Sequence, residues 1–548
     1  MAQVHAEASL SFCRAAAFFQ QSIIPLVKKI LFACAVAFGW LYLTALLAYH
    51  LSNFPGLHGD EAWAGMFASR ILSRGFYSPH EMNTYTGSIY GGLLALIFLR
   101  FPRDVLHLRM ASVAFNSLAA LIMLIHLARR TGGKGAAAWL YLLTTSAFFV
   151  FDSKLAWEIT AFQNLLLACL LVLCARFLED APASFWGALA FIVLNYAGVV
   201  NHFIFISVPA SLMLAALAML VLRGNWDFLD FFRLSICNFL MAVLVFLLKP
   251  RVADAQWESH KPFFLALTAL IPVACAMAYV LSQDATPRLR ALCERARGSS
   301  ARTLFLGTLA LGMALFFFFH LKALIQIWSG VALFERMSSW IPPLPARVIL
   351  YAWSAYLIGL FLASAYRGLE PGYLSKLSPY GRFLIVWPLV YAAVFVVFRN
   401  TNSIRYYIIP SFLFMASLAA AAARTPLAGR RKAAAVCLCA AAVLNVSFWR
   451  EMAGPRGRRP LVFRVGWHKE NSRDFLPKDA LNRAMDEERV CGFQDYSSFI
   501  DIPLDFYRWG HPVACDETKY IATRYCEDCP GPPYIAWEIK TKRRAADQ

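Results

Sequence analysis

The chain has 548 residues, 59% of them hydrophobic and 15% aromatic, with a mean hydropathy of +0.54 and a formal net charge of +19. So apolar a composition excludes a water-soluble globular protein of this length and implies a polytopic helical membrane protein. The positive excess is spread over short loops and a tail, which fits membrane topology and anionic headgroups rather than a nucleic-acid partner.

In chain order, Lys28 and Lys29 precede an apolar run from 30 to 50, predicted as the first span with its N-terminal end in the cytosol. The bulky Tyr49-His50-Leu51 that follows offers no small-residue cleavage site, so the run is expected to be a retained anchor. Further spans are predicted at about 110–128, 136–151, 160–175, 185–199, 204–222, 234–248, 262–281, 303–320, 348–366, 383–398, 406–423 and 433–449, thirteen in all. Lys and Arg concentrate in the loops this assigns to the cytosol, most clearly at 288–302 and 424–432. The odd count places residues 450–548 outside, on the side of the first loop.

Residues 86–101 are apolar but short for a span and contain Gly87, Gly91 and Gly92; they are expected to lie in, or re-enter, the outer interface. If they spanned, every later loop would change sides. The Arg129-Arg130-Thr-Gly-Gly-Lys134 loop would then face outward, against the charge bias.

Two units follow: a membrane body, 1–449, and a small outward domain, 450–548, joined by Gly454-Pro-Arg-Gly-Arg-Arg-Pro460. The tail mixes strand-like segments at 489–493, 520–523 and 533–537 with a predicted helix near 479–488, so an α+β domain is expected. Its Cys491, Cys515, Cys526 and Cys529 read as one or two disulfides of an oxidising compartment, with a zinc site as the weaker alternative because a second close pair is missing. There is no Walker loop, no G-x-G-x-x-G and no HExxH, which leaves ATP-driven and Rossmann-type chemistry without support.

The chemistry-bearing residues gather in the outward loops. His58-Gly59-Asp60-Glu61 leaves the first span with two adjacent carboxylates, candidates for taking a proton from an acceptor hydroxyl or amine. Asp60 would equally serve as the N-terminal cap of a helix over 62–73. Asp152, Lys154 and Glu158 follow the third span, Asn201 and His202 lie between the fifth and sixth, Lys322 follows the ninth, and Arg399, Arg405 and Tyr406 precede the twelfth. Carboxylates and arginines on one face suit a site for a phosphorylated lipid, because the planar guanidinium donates two bonds to a phosphate and stays charged. Each has a structural reading beside the functional one: interfacial anchoring for Arg405 and Tyr406, snorkelling for Lys322, local pairing for Lys154 and Glu158, and a satisfied polar residue for His202.

With these residues in view, the chain resembles the GT-C membrane glycosyltransferases, above all the lipid A aminoarabinose transferases and protein O-mannosyltransferases. Gly59-Asp60-Glu61-Ala62-Trp63 is similar to the first-loop motif of that family, whose Asp acts as catalytic base; Asp152 falls where the family has another outward acid. Arg405-Tyr406 followed by Pro410 resembles the arginine-tyrosine-x-x-proline pattern that opens a late span. The chain departs where the aminoarabinose branch carries Lys-Pro-Pro in the first loop: here it has Asn83-Thr84-Tyr85-Thr86-Gly87, which implies a different acceptor or sugar pocket.

The resemblance implies an all-α, GT-C-like body of about thirteen transmembrane helices, with the small α+β C-terminal domain in the periplasm. It implies a monomeric multi-pass protein of the bacterial inner membrane, moving a sugar from a polyprenyl-phosphate donor to a lipid, glycan or protein acceptor with inversion. Asp60 would be the base, with Glu61 beside it; Asp152, Glu158, His202, Lys322, Arg399, Arg405 and Tyr406 would bind substrate. No cofactor and no metal are expected, since a basic clamp suffices for a lipid monophosphate. The alternative class is a transporter or flippase for a lipid-linked or anionic substrate, which the broken-helix possibility at Pro209 and Pro272 leaves room for.

Overall fold

The structure is a computed structural model that describes residues 24–74, 87, 89–180, 184–223, 228–248, 287–288, 291, 299–329, 343–369, 377–398, 404–424, 431–453, 464–465, 468–469, 475–476, 489–494, 506, 516–526 and 534–541; some side chains within these ranges lie outside the description. The chain opens with α1 (Ile24–Ala48), β1 (Leu57–His58), α2 (Gly59–Arg74) and α3 (Ile89–Phe98). The body continues through α4 (Val105–Thr145), α5 (Ala147–Asp152), α6 (Glu158–Ala175), α7 (Phe185–Asn201), α8 (Ser207–Arg223) and α9 (Leu229–Leu248). After a gap in the description come α10 (Ser299–Ser329), α11 (Pro343–Leu369), α12 (Pro379–Phe395), α13 (Ile408–Arg424) and α14 (Arg431–Ala453).

These helices overlie the predicted spans wherever both are described; the span at 262–281 lies outside the described residues. Five helical stretches among the described residues are long and apolar enough to cross a membrane, and six shorter apolar helices accompany them. Phe38, Trp186, Leu304 and Phe318 point outward from three helices, as side chains facing lipid do. α3 has ten residues, about 15 Å of helix against the roughly 30 Å of a hydrocarbon core. It does not span.

The second and third predicted spans are the two arms of α4. The chain reverses at Gly132, whose φ of 72° and ψ of −169° are open to glycine and strained for any residue with a Cβ. Antiparallel contacts prove the reversal: Trp139 Nε1 donates to Ala120 O at 3.1 Å, and Ser112 Oγ donates to Ser153 O at 2.9 Å. This hairpin is the centre of the bundle, with α1, α6 and α13 packed around it. Buried amides tie its interior: Asn164 Nδ2 donates to Asn116 Oδ1 at 2.7 Å, and Asn116 Nδ2 to Thr160 O at 3.0 Å.

The tail forms β2 (Arg464–Val465), β3 (His468–Lys469), β4 (Phe475–Leu476), β5 (Val490–Gln494), β6 (Asp516–Cys526) and β7 (Tyr534–Thr541). β5 pairs parallel with β6 and β6 antiparallel with β7, placing Ile521 opposite Ile539 and Thr523 opposite Trp537. The expected strands are present. The helix expected at 479–488, Cys515, Cys529 and the side chains of Cys491 and Cys526 lie outside the described residues, as does any disulfide among them. β4 leaves this unit to pair with β1, so the tail and the first loop share one side of the body.

Candidate active site

The His58-Gly59-Asp60-Glu61 turn folds as a capping box in which histidine replaces the usual serine or threonine. Asp60 N donates to His58 Nδ1 at 3.0 Å, and His58 N donates to Glu61 Oε2 at 3.1 Å. α2 therefore starts three residues earlier than expected, with both acids in its first turn, where the helix dipole favours them. The box fixes the backbone from which the Asp60 side chain leaves.

Trp157 Nε1 also donates to His58 Nδ1, at 3.2 Å. A ring nitrogen receiving two N–H groups carries no proton, so the network assigns neutral His58 with its proton on Nε2. Asp60 itself accepts from Arg405 Nη1. Burial pushes the Asp60 carboxyl upward, but the Arg405 guanidinium outweighs it and holds the group below the usual carboxylate range. Since His58 is neutral by its hydrogen bonds, Arg405 is the charge responsible.

Arg405 stands in the short 3-10 turn Ile404–Tyr407 that leads into α13. Its guanidinium lies over Trp157, 5.3 Å from the ring centroid, and over Tyr406 at 5.4 Å. Tyr406 reaches on to His202, with ring centroids 5.7 Å apart. His202 caps α7 and begins the next 3-10 turn; its Nδ1 accepts from Ile204 N at 3.3 Å, and its Nε2 is 3.9 Å from Glu158 Oε1. Asn201 Nδ2 donates to Glu158 O at 2.7 Å. Asp60, Glu158, His202, Arg405 and Tyr406 thus form one cluster where four separate stretches of chain meet. The Tyr90 hydroxyl of α3, buried and without a hydrogen-bond partner among the described residues, lies within electrostatic reach of Glu61 and Glu158.

Glu61 is differently employed. Its Oε1 accepts from Arg109 Nε at 2.9 Å and Ala156 N at 2.8 Å; its Oε2 accepts from Arg109 Nη2 at 2.7 Å and His58 N. The other Arg109 protons go to Leu51 O, Pro55 O and Gly56 O. All five guanidinium donors and all four carboxylate acceptor positions are filled, and both side chains are wholly buried. Glu61, expected beside Asp60 in the chemistry, is held by these bonds to the loop and to Arg109.

Asp152 is buried at the end of α5, in the turn that leads to Trp157. Lys154 donates to Leu46 O, Leu47 O and Tyr49 O, capping the open carbonyls of α1. Lys322 lies in α10 with its side chain outside the described residues, and Arg399 lies outside them altogether. The sequence reading missed Trp157 and Arg109. A lone arginine at the head of an apolar run was the available signal for Arg109, whereas nothing in the sequence marked Trp157. Among the described residues no group of three or more His, Cys, Asp and Glu is arranged to ligate a metal.

No protein-family model matches the chain, and no curated protein matches it. Among solved structures it is similar to ArnT from Cupriavidus metallidurans in the apo state, at 12% identity over 91% of this chain and 93% of that one, with a TM-score of 0.34. The same protein bound to undecaprenyl phosphate is similar at 12% identity over 90% and 93%, with a TM-score of 0.36. So loose a superposition sets no residue of this chain against one of theirs.

Proposed function

We propose that the chain is a GT-C-type glycosyltransferase that moves a sugar from a polyprenyl-phosphate donor to a lipid, glycan or protein acceptor, at the outer face of a bacterial inner membrane. The observation that carries the reading is the Asp60–Arg405 pair: an ionised carboxylate and a guanidinium in contact, at the end of the bundle where the candidate loops meet.

Asp60 takes the proton from the acceptor O–H or N–H. The acceptor atom bonds to the anomeric carbon from the face opposite the leaving group, the bond from that carbon to the phosphate oxygen breaks, and the electron pair leaves with the lipid phosphate. The anomeric centre inverts. Arg405 Nε is buried and has no hydrogen-bond partner among the described residues, so one edge of the guanidinium is left to meet a phosphate oxygen while Nη1 stays on Asp60. Lys322 and Arg399 complete the clamp in this reading, and Glu158, His202 and Tyr406 line the sugar side. The clamp supplies the countercharge, so the step as written needs no metal.

The test uses the full chain in lipid vesicles with undecaprenyl-phosphate-linked sugars carrying a label, and membrane lipids as acceptor. Asp60→Asn, nearly isosteric, should cut turnover by about 10²–10⁴-fold while donor binding persists. Near-normal turnover would remove Asp60 as base. Movement of the labelled lipid across the vesicle without product, in both proteins, would favour a transporter.

A further inference from the structure

The tail reaches into the turn that carries Asp60 at two places. β4 pairs antiparallel with β1, setting Leu57 opposite Leu476 and His58 opposite Phe475. A two-residue strand has no stability alone, so β1 is extended because β4 lies beside it. The second contact is Phe506, carried by the connection that the parallel β5–β6 pair requires. Phe506 is 1% exposed and shares an apolar cluster with Trp63, Phe67, Leu94 and Phe98. Its ring fits over Gly65 of α2, where a Cβ would lie 2.2 Å from the ring carbon Cε2. No larger residue at 65 admits the ring in that place.

We propose that the tail is a positioning element of the catalytic site: through β4 and Phe506 it grips the strand before the capping box and the helix after it, and so holds Asp60 against Arg405. This rests on the reading of Asp60 as the base. The mechanical link is short. Phe475 pairs with His58 in the β1–β4 ladder; His58 Nδ1 receives both Asp60 N and Trp157 Nε1; and the Trp157 ring supports the Arg405 guanidinium. Letting His58 move loosens Asp60 and Arg405 together. The sheet of β5, β6 and β7 has its own pairing, so Phe506→Ala removes a grip and leaves the sheet its hydrogen bonds.

The experiment compares the full chain, Phe506→Ala, Phe506→Leu, and Phe506→Ala carrying Leu57→Cys and Leu476→Cys joined by mild oxidation. Backbone hydrogen exchange is read over 57–64, and sugar transfer is assayed as above. Phe506→Ala should lose protection over 57–64 and lose about 10²-fold in kcat, with a smaller rise in the KM for the donor lipid because Arg405 loosens with Asp60. Phe506→Leu should keep most of both, and the cross-link should restore both. Unchanged protection in Phe506→Ala, or a cysteine pair that fails to join, overturns the grip. Lost protection with full transfer overturns the positioning role. If the unaltered chain transfers no sugar, the reading of Asp60 as base fails, while the exchange and cross-linking results still decide the grip.

Discussion

Arg405 donates a hydrogen bond to Asp60 across 345 positions of sequence, and the same guanidinium covers the indole of Trp157. One cation therefore fixes the charge of the carboxylate, rests on an aromatic face, and keeps a donor edge open beside it.

The first concerns pH. Burial alone would raise the Asp60 pKa, but the net is a depression, caused chiefly by Arg405. A carboxyl depressed in the folded state contributes stability above its unfolded value and loses that contribution as pH falls through its folded value. The acid limb of the pH–rate profile should accordingly lie below the ordinary carboxylate range. Arg405→Gln should move that limb upward and also weaken donor binding. A limb that stays in place would mean that another group titrates.

The second concerns the Glu61–Arg109 knot. Removing one partner leaves the other as an uncompensated buried charge, so Glu61→Gln or Arg109→Met should each destabilise the protein by about 3–5 kcal/mol. The pair Glu61→Leu with Arg109→Met should cost less than the two single losses added together. Thermal unfolding in detergent would measure all of these. A mild single-variant effect would mean that water reaches this site.

The third concerns sidedness. In a cysteine-free background, cysteines at Arg489 and at Lys134 sit on the tail and beside the Gly132 reversal, both at exposed positions. An impermeant thiol reagent should label Arg489→Cys in cells with only the outer barrier opened, and Lys134→Cys only after the inner membrane is broken. The opposite pattern would invert the orientation, and labelling of both from outside would break the span assignment.

The fourth concerns Gly132. Its backbone angles belong to a region that is almost exclusive to glycine, so Gly132→Ala should cost about 1–3 kcal/mol. The same replacement at Gly307, where a Cβ would meet nothing within 4 Å, should be neutral or slightly stabilising, because it removes a glycine from a helix interior. Equal effects at the two sites would mean that the reversal does not depend on Gly132.

The sequence determined what depends on short stretches of chain. Apolar run length predicted the helices, including the short one at 89–98, and the tail strands were legible from their composition. Asp60 and Arg405 were both legible as candidates, because a carboxylate or guanidinium beside an apolar run needs a reason to be there.

Only the tertiary structure decided how these groups divide the work. Neighbours in sequence, Asp60 and Glu61 differ by one helical step of about 100°, which sends one carboxylate to Arg405 and the other to a fully bonded Arg109. Lys154, expected to pair with Asp152 or Glu158 nearby in sequence, gives its three protons to carbonyls at the C-terminal end of α1 and just beyond it. Trp157 gains its place from His58 on one side and Arg405 on the other, and Gly65 from a ring that arrives from the far end of the chain. Local pattern carries burial and helix length, because both are set by residues close in sequence. The partner of a buried charge is set by which distant segments the packing brings within about 3 Å, and a single sequence does not contain that distance.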